Sequence, residues 1–169
     1  MLCHALCALA VLAPASTTDP LVGRASVIDG DTVEIRGRRI RLWGIDAPER
    51  RQTCTKDGEI YRCGQASATN LTDLVQNYPV TCVPKARPDR YRRIIATCTV
   101  TVPPGEGPGQ LAGSSNTHDL GAWQVLSGYA QDWPLYSGGA YLIHEALAEE
   151  HEAGMWSGEF QKPWEWRCR

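Results

Sequence analysis

Three short segments hold charged side chains at spacings suited to work on an anionic, oxygen-rich substrate. Val27-Ile-Asp-Gly-Asp-Thr-Val33 carries Asp31, Arg41-Leu-Trp-Gly-Ile-Asp-Ala-Pro-Glu49 carries an arginine and two acids, and Asp89-Arg-Tyr-Arg-Arg-Ile94 carries three arginines. Each has an ordinary explanation when taken singly. Asp29-Gly30 is hairpin-turn chemistry, the acids around Pro48 suit a polar loop, and a run of arginines is usually a solvated turn. Asp31 fits less well, because it falls at a strand start, where acids are disfavoured. A hard cation such as Ca2+ takes several oxygen ligands, and Asp31, Asp46 and a backbone carbonyl beside one of them supply these with room for water. Glu49, three residues beyond Asp46, is placed to orient or deprotonate a water molecule. Attack of that water on a phosphodiester builds negative charge at phosphorus. Two permanently charged, fork-shaped guanidiniums stabilise such charge well, and Arg41 with one arginine of the third segment would serve.

Positioning these groups requires a sheet. From Leu21 to Ile45 apolar residues alternate between turn signals, which predicts three short antiparallel strands: Ala25–Ile28, Thr32–Ile35 and Ile40–Leu42, turning at Asp29-Gly30 and Gly37-Arg38. With a period of two, Ile40 and Leu42 share one face of the third strand while Arg39 and Arg41 point away from the core. Residues 50–62 read as a polar loop after Pro48. Ala66, Leu71, Leu74 and Val75 recur at helical spacing from Gly64 to about Asn77, and Pro79 ends the helix. Two more strands are expected over 80–83 and 94–102. The Pro-, Gly- and Ser-rich residues 103–118 read as a mobile surface loop. Asp119 is a candidate cap for a short helix to Ser127, and Ser137 for a longer one ending near Gly154.

The three segments, in this order and spacing, resemble the staphylococcal nuclease family over roughly residues 22–160. The resemblance implies an α+β fold: a five-stranded OB-type β-barrel with about three helices and the site on the barrel's side. By position it implies that Asp31, Asp46 and the Ala47 carbonyl hold calcium, that Glu49 acts on the water, and that Arg41 and Arg93 clamp the phosphate. The family usually has glycine before its second arginine. Here Arg92 stands there, so register favours Arg93 with Arg92 the alternative. Tyr91 matches a tyrosine that flanks the nucleotide base and Arg90 its basic neighbour, while Tyr136 is the residue chosen for a further pocket tyrosine; stacking and charge are the expected contacts to a single strand. The resemblance further implies cleavage of DNA and RNA with little sequence preference, leaving a 3′-phosphate. A barrel that has lost catalysis and kept nucleic-acid binding is the alternative, as is an enzyme for smaller phosphodiesters. Survival of the acids and arginines together argues for the polymer-cutting enzyme.

Composition bounds the remainder. With 169 residues, 43% hydrophobic and 21% charged, one globular domain is expected, and a formal charge of −2 argues against a protein that grips DNA through a broad basic surface. Residues 1–15 contain no Asp, Glu, Lys or Arg and end Ala13-Pro14-Ala15, which reads as an export signal, followed by a linker over 16–21 and the domain over 22–169. Cys7 is a poor lipidation site, because bulky Leu6 stands where a small residue is wanted. A secreted or periplasmic monomer without stable membrane association is expected, and disulfides persist in such compartments. Four of the five remaining cysteines allow three connectivities. Cys54 with Cys63 and Cys82 with Cys98 is favoured, each worth roughly 2.5 to 3 kcal/mol on the chain-entropy model, leaving Cys168 over. His144-Glu145 is followed by His151, seven residues on, which does not make the zinc-binding H-E-x-x-H spacing. The tryptophans of Lys162–Trp166 are expected to dock on their own core.

Overall fold

The computed structural model describes residues 19–103 and 116–168. The proposed export signal and most of the proposed loop over 103–118 therefore lie outside the described residues. Five strands close into a barrel: β1 (Leu21–Asp29), β2 (Thr32–Ile35), β3 (Arg38–Leu42), and, beyond the shorter elements β4 (Ile45–Asp46), β5 (Cys54–Lys56) and β6 (Glu59–Tyr61), β7 (Pro79–Ala86) and β8 (Ile94–Thr101). β1 pairs with β2 and β7, β2 with β3, and β7 with β8, all antiparallel. A parallel seam between β3 and β8, with Arg41 opposite Ile95, completes the ring. β9 (Thr117–Asp119) extends the far end of β8, so Thr117 and His118 belong to a strand rather than to the expected loop.

Alternation accounts for the barrel's interior. Val33, Ile35, Ile40, Leu42, Val80, Ala96 and Val100 are buried in one core with Leu71 and Leu74 from helix α1 (Cys63–Val75). At roughly 1.5–3 kcal/mol for each large apolar side chain buried, this core is the main driving force of the fold. Cys82 and Cys98 sit directly opposite one another on β7 and β8, and Cys54 and Cys63 lie within reach across the start of α1; both pairs are disulfides, and Cys168 is a free, exposed thiol.

The residues expected to form a plain loop over 50–62 contain the hairpin of β5 and β6 instead. Its short ladder runs from Cys54 opposite Tyr61 to Lys56 opposite Glu59. Helix α2 (Leu120–Leu126) is capped by Asp119, whose carboxylate accepts the Ala122 N–H at 2.8 Å. The long helix expected from Ser137 to Gly154 is shorter, starting at Leu142 and ending at Glu150. β10 (Gln131–Asp132) leads into the single turn α3 (Pro134–Ser137), and α4 (Leu142–Glu150) starts only after Gly138 and Gly139, both at positive φ, conformations a continuing helix cannot contain. A short 3₁₀ turn over Gly154–Ser157 leads to the last element, α5 (Pro163–Trp166), whose Trp164 stacks on Trp133. Among the described residues no helix is long and apolar enough to cross a membrane.

Candidate active site

Asp31 lies in the turn between β1 and β2, not at the strand start. Asp29 pairs with Thr32, which leaves Gly30 and Asp31 as the two turn residues, with the Asp31 amide hydrogen-bonded to the Asp29 carboxylate at 3.2 Å. The turn is packed tightly from below. A Cβ on Gly30 would fall on the Ser67 hydroxyl of α1 and the Ala47 methyl, so only glycine fits this close approach. The buried Gln124 of α2 donates to the Gly30 carbonyl at 2.7 Å and to the Ser67 hydroxyl at 3.1 Å, while the Ser67 hydroxyl donates to the Tyr129 carbonyl. Two helices thereby set the height of Asp31 above the barrel.

Arg41 projects from β3 beside this turn, since Thr32 and Arg41 are register partners. Its guanidinium reaches Asp31 at 2.8 Å and Asp46 at 2.6 Å, with only 14% of the side chain exposed. Burial works against the charge, but the two carboxylates outweigh it and hold the Arg41 pKa above its ordinary value. Asp46, on β4 and fixed opposite Gln131 of β10, is wholly buried; burial pushes its pKa up while hydrogen bonding and charge from Arg167 and Arg41 oppose that rise. Ala47 is buried next to Asp31 and donates its N–H to that carboxylate at 3.3 Å. Glu49 is held through its backbone: its N–H donates to the side chain of the fully buried Gln52, and its carbonyl accepts the Gln52 N–H at 2.7 Å. Gln52 in turn donates to the Gln161 carbonyl at 2.6 Å.

Beside it, on the strand paired with β3, Arg93 enters β8 from a loop closed by Asp89. The Asp89 carboxylate accepts the backbone N–H groups of Tyr91 and Arg93 and the Arg93 Nε at 2.7 Å. Burial alone would raise the Asp89 pKa, but these bonds and the adjacent charge bring it below the usual carboxylate range. Arg93 Nη1 donates to the Thr32 hydroxyl at 3.2 Å, and that hydroxyl donates to Asp31 at 2.9 Å, so one side chain links Arg93 with Asp31. Arg92, at positive φ and exposed, is not part of the wall.

These walls enclose a cleft of about 930 Å³. Asp31, Arg41, Ala47, Glu49 and Arg93 line it, with Asp46 directly behind Arg41. The three residues expected to meet a nucleotide are there as well: Tyr91 and Tyr136 are exposed on its rim, at 64% and 58%, and Arg90 lies over the Tyr91 ring at 4.8 Å. Among the described residues no group of three or more His, Cys, Asp or Glu side chains converges as a metal site; this applies to His144 and His151 and equally to Asp31, Asp46 and Glu49, whose carboxylates are turned to arginines.

Two contributors are absent from the motif-based expectation. Asp29 lines the same cleft; burial first, then the neighbouring Asp31, raises its pKa to about 7. Arg167, just past α5, also reaches the cleft and binds Asp46 and Glu49. Asp29 was visible only as a turn residue. Nothing in local spacing connects Arg167 with acids more than a hundred positions earlier.

The sequence profile described as "Staphylococcal nuclease homologue" matches residues 39–158. The chain is 35% identical over 156 residues to the "Succinoglycan biosynthesis protein ExoI" of Rhizobium meliloti (strain 1021), covering 91% of this chain and 74% of that one. It is 32% identical to "Protein ParB" of Escherichia coli, covering 97% and 89%. It is 31% identical to an "Uncharacterized endonuclease" of Escherichia coli, covering 85% and 82%. With the closed five-stranded barrel and a profile that spans most of the domain, the chain belongs to the staphylococcal nuclease family.

Proposed function

We propose that the protein is an exported, calcium-dependent endonuclease that hydrolyses phosphodiester bonds of DNA and RNA, preferring single strands and tolerating most sequences. The observation that carries this reading is the convergence of Asp31, Glu49, Arg41 and Arg93 on one cleft, with Asp46 behind Arg41, from three separate segments of the chain. A barrel retained only for binding has no need for acids and arginines held together in this way.

The donor set suits calcium. Asp31 offers hard carboxylate oxygens at the cleft wall and Asp46 offers them just behind Arg41, Ala47 adjoins both, and among the described residues that line the cleft there is no Cys or His to favour a softer ion. Asp31, Asp46 and the Ala47 carbonyl would hold the ion, which when bound would supply Lewis-acid polarisation of the phosphoryl oxygen. The rest of the chemistry belongs to side chains. Arg41, fixed by β3, and Arg93, at the entrance to β8, clamp the non-bridging oxygens and neutralise the charge that grows on them. Glu49 orients a water and takes its proton as the oxygen attacks phosphorus; the 5′ oxygen leaves, so the 3′-phosphate stays with the upstream strand. Tyr91 and Tyr136 offer faces to unpaired bases, and every base has a π-face, which accounts for tolerance of sequence. Two disulfides match an oxidising compartment.

Incubation of purified protein with heat-denatured DNA and with RNA, in calcium and then in chelator, tests the reading. Cleavage that requires calcium and leaves 3′-phosphate ends is expected; absence of calcium-dependent cleavage would overturn it.

A further inference from the structure

The acids of the cleft already hold a cation, and it comes from the chain itself. The Arg167 guanidinium grips Asp46 with both arms, Nη1 to Oδ1 at 3.0 Å and Nη2 to Oδ2 at 2.7 Å, and Nη1 also donates to Glu49 at 2.8 Å. The same guanidinium lies 5.7 Å from the centre of the Trp133 ring, on which Trp164 stacks. A fork on both oxygens of one carboxylate is the strongest pairing that two side chains make, and Arg167 accordingly has its pKa raised, burial being outweighed by the two acids.

We propose that Arg167 is a tethered cation that competes with the divalent metal ion for Asp46 and Glu49, so that the strap around α5 is a latch that metal binding opens. The inference rests on the calcium reading of the site. Charge explains why both cannot stay. Asp31, Asp46 and Glu49 carry three negative charges against two positive ones on Arg41 and Arg167, so a dication would bring a net charge of −1 to +1. Release of Arg167 leaves −2 before the ion binds, a match for a doubly charged ion. Geometry agrees, because an ion that needs carboxylate oxygen at about 2.3–2.6 Å competes for lone pairs now pointing at guanidinium hydrogens.

The strap is anchored at its base and exposed at its end. Its base is fixed where Gln52 donates to the Gln161 carbonyl and where Pro163 is buried, while Arg167 and Cys168 beyond α5 are exposed. The same Gln52 holds the backbone of Glu49, so the anchor of the latch and the acid it covers share one buried side chain. Residue 167 lies outside the stretch matched by the family profile, 39–158.

Calcium titration by calorimetry, without nucleic acid, tests the competition. A latch closed in nine molecules of ten weakens apparent affinity about tenfold, so Arg167→Gln should bind calcium about tenfold more tightly than the parent chain and Arg167→Lys should fall between them. In chelator the sign reverses: Arg167→Gln should melt a few degrees below the parent, because buried Asp46 has lost a partner. Calcium affinity that is unchanged or weaker in Arg167→Gln, with the parent still binding, overturns the latch and leaves the calcium reading intact. It would then fit Arg167 as a further phosphate contact. If neither protein binds calcium, the metal reading falls and the competition falls with it.

Discussion

Arg41 and Arg93 line one cleft from neighbouring strands, yet the fold secures them by opposite means. Arg41 stands on a barrel strand, and its partners Asp31 and Asp46 are themselves held by other elements. Arg93 stands at a strand entrance, and its main partner is Asp89, four residues earlier in the same loop. One guanidinium is part of the frame and the other is a local attachment to it. Function and stability are therefore more tightly entangled at Arg41 than at Arg93.

The largest effect is expected from Arg41→Ala, which should lower kcat/KM on denatured DNA by about a hundredfold or more and also destabilise the domain. Loss of one preorganised transition-state contact accounts for the first. The second follows because two buried carboxylates lose their shared partner, a defect that costs about 3 kcal/mol and is read as a lower melting temperature. Arg93→Ala should match the loss in rate while costing less stability than Arg41→Ala, since it deprives one carboxylate of a partner rather than two and that carboxylate lies in the same loop. Arg92→Ala is the control for register. Near-normal activity is expected of it, and an inactive Arg92→Ala beside an active Arg93→Ala would reverse the assignment of the second arginine.

Asp89→Asn sharpens the contrast further, because it leaves Arg93 in place but removes the carboxylate that aims it. A loss of about tenfold in kcat/KM is expected, smaller than deletion of the arginine, with a modest fall in melting temperature at neutral pH that vanishes in acid, because the lowered Asp89 pKa stabilises the fold only while the carboxylate is charged. The smallest effect concerns Asp29. Its folded pKa of about 7 lies above the ordinary 3.8, so the folded state holds more protons than the unfolded one across that window. Its contribution to stability is full below about pH 4 and is lost as pH rises through 7. Asp29→Asn should flatten that part of the stability curve, as measured by denaturant unfolding at pH 5 and pH 8.

Much of the frame was legible because it is written in short-range patterns. Alternation around Ile40 and Leu42 placed Arg41 on the outer face, and cysteines 9 and 16 residues apart gave pairings that strand geometry then accommodates. The candidate site could be proposed from the same kind of pattern, since its acids and arginines sit in compact segments. What escaped was set by contacts between distant parts of the chain. Gly138-Gly139 looked helical because glycine only weakens a helix in sequence terms, whereas here both residues take conformations that a helix excludes. Thr32, whose hydroxyl links Asp31 with Arg93, has no signature apart from its place in the register. Gln124 and Arg167 are likewise single polar residues whose partners lie elsewhere in the chain, and no local period could have singled them out.

The parallel seam between β3 and β8 also sets when the candidate site can assemble. Arg41 and Arg93 are more than fifty residues apart, and the seam that pairs Ile40 with Ile94, Arg41 with Ile95 and Leu42 with Ala96 brings their strands side by side. An unfolded chain holds every residue of the candidate site without bringing the two arginines together. On the proposed nuclease reading, activity would arise only with the closing of the barrel.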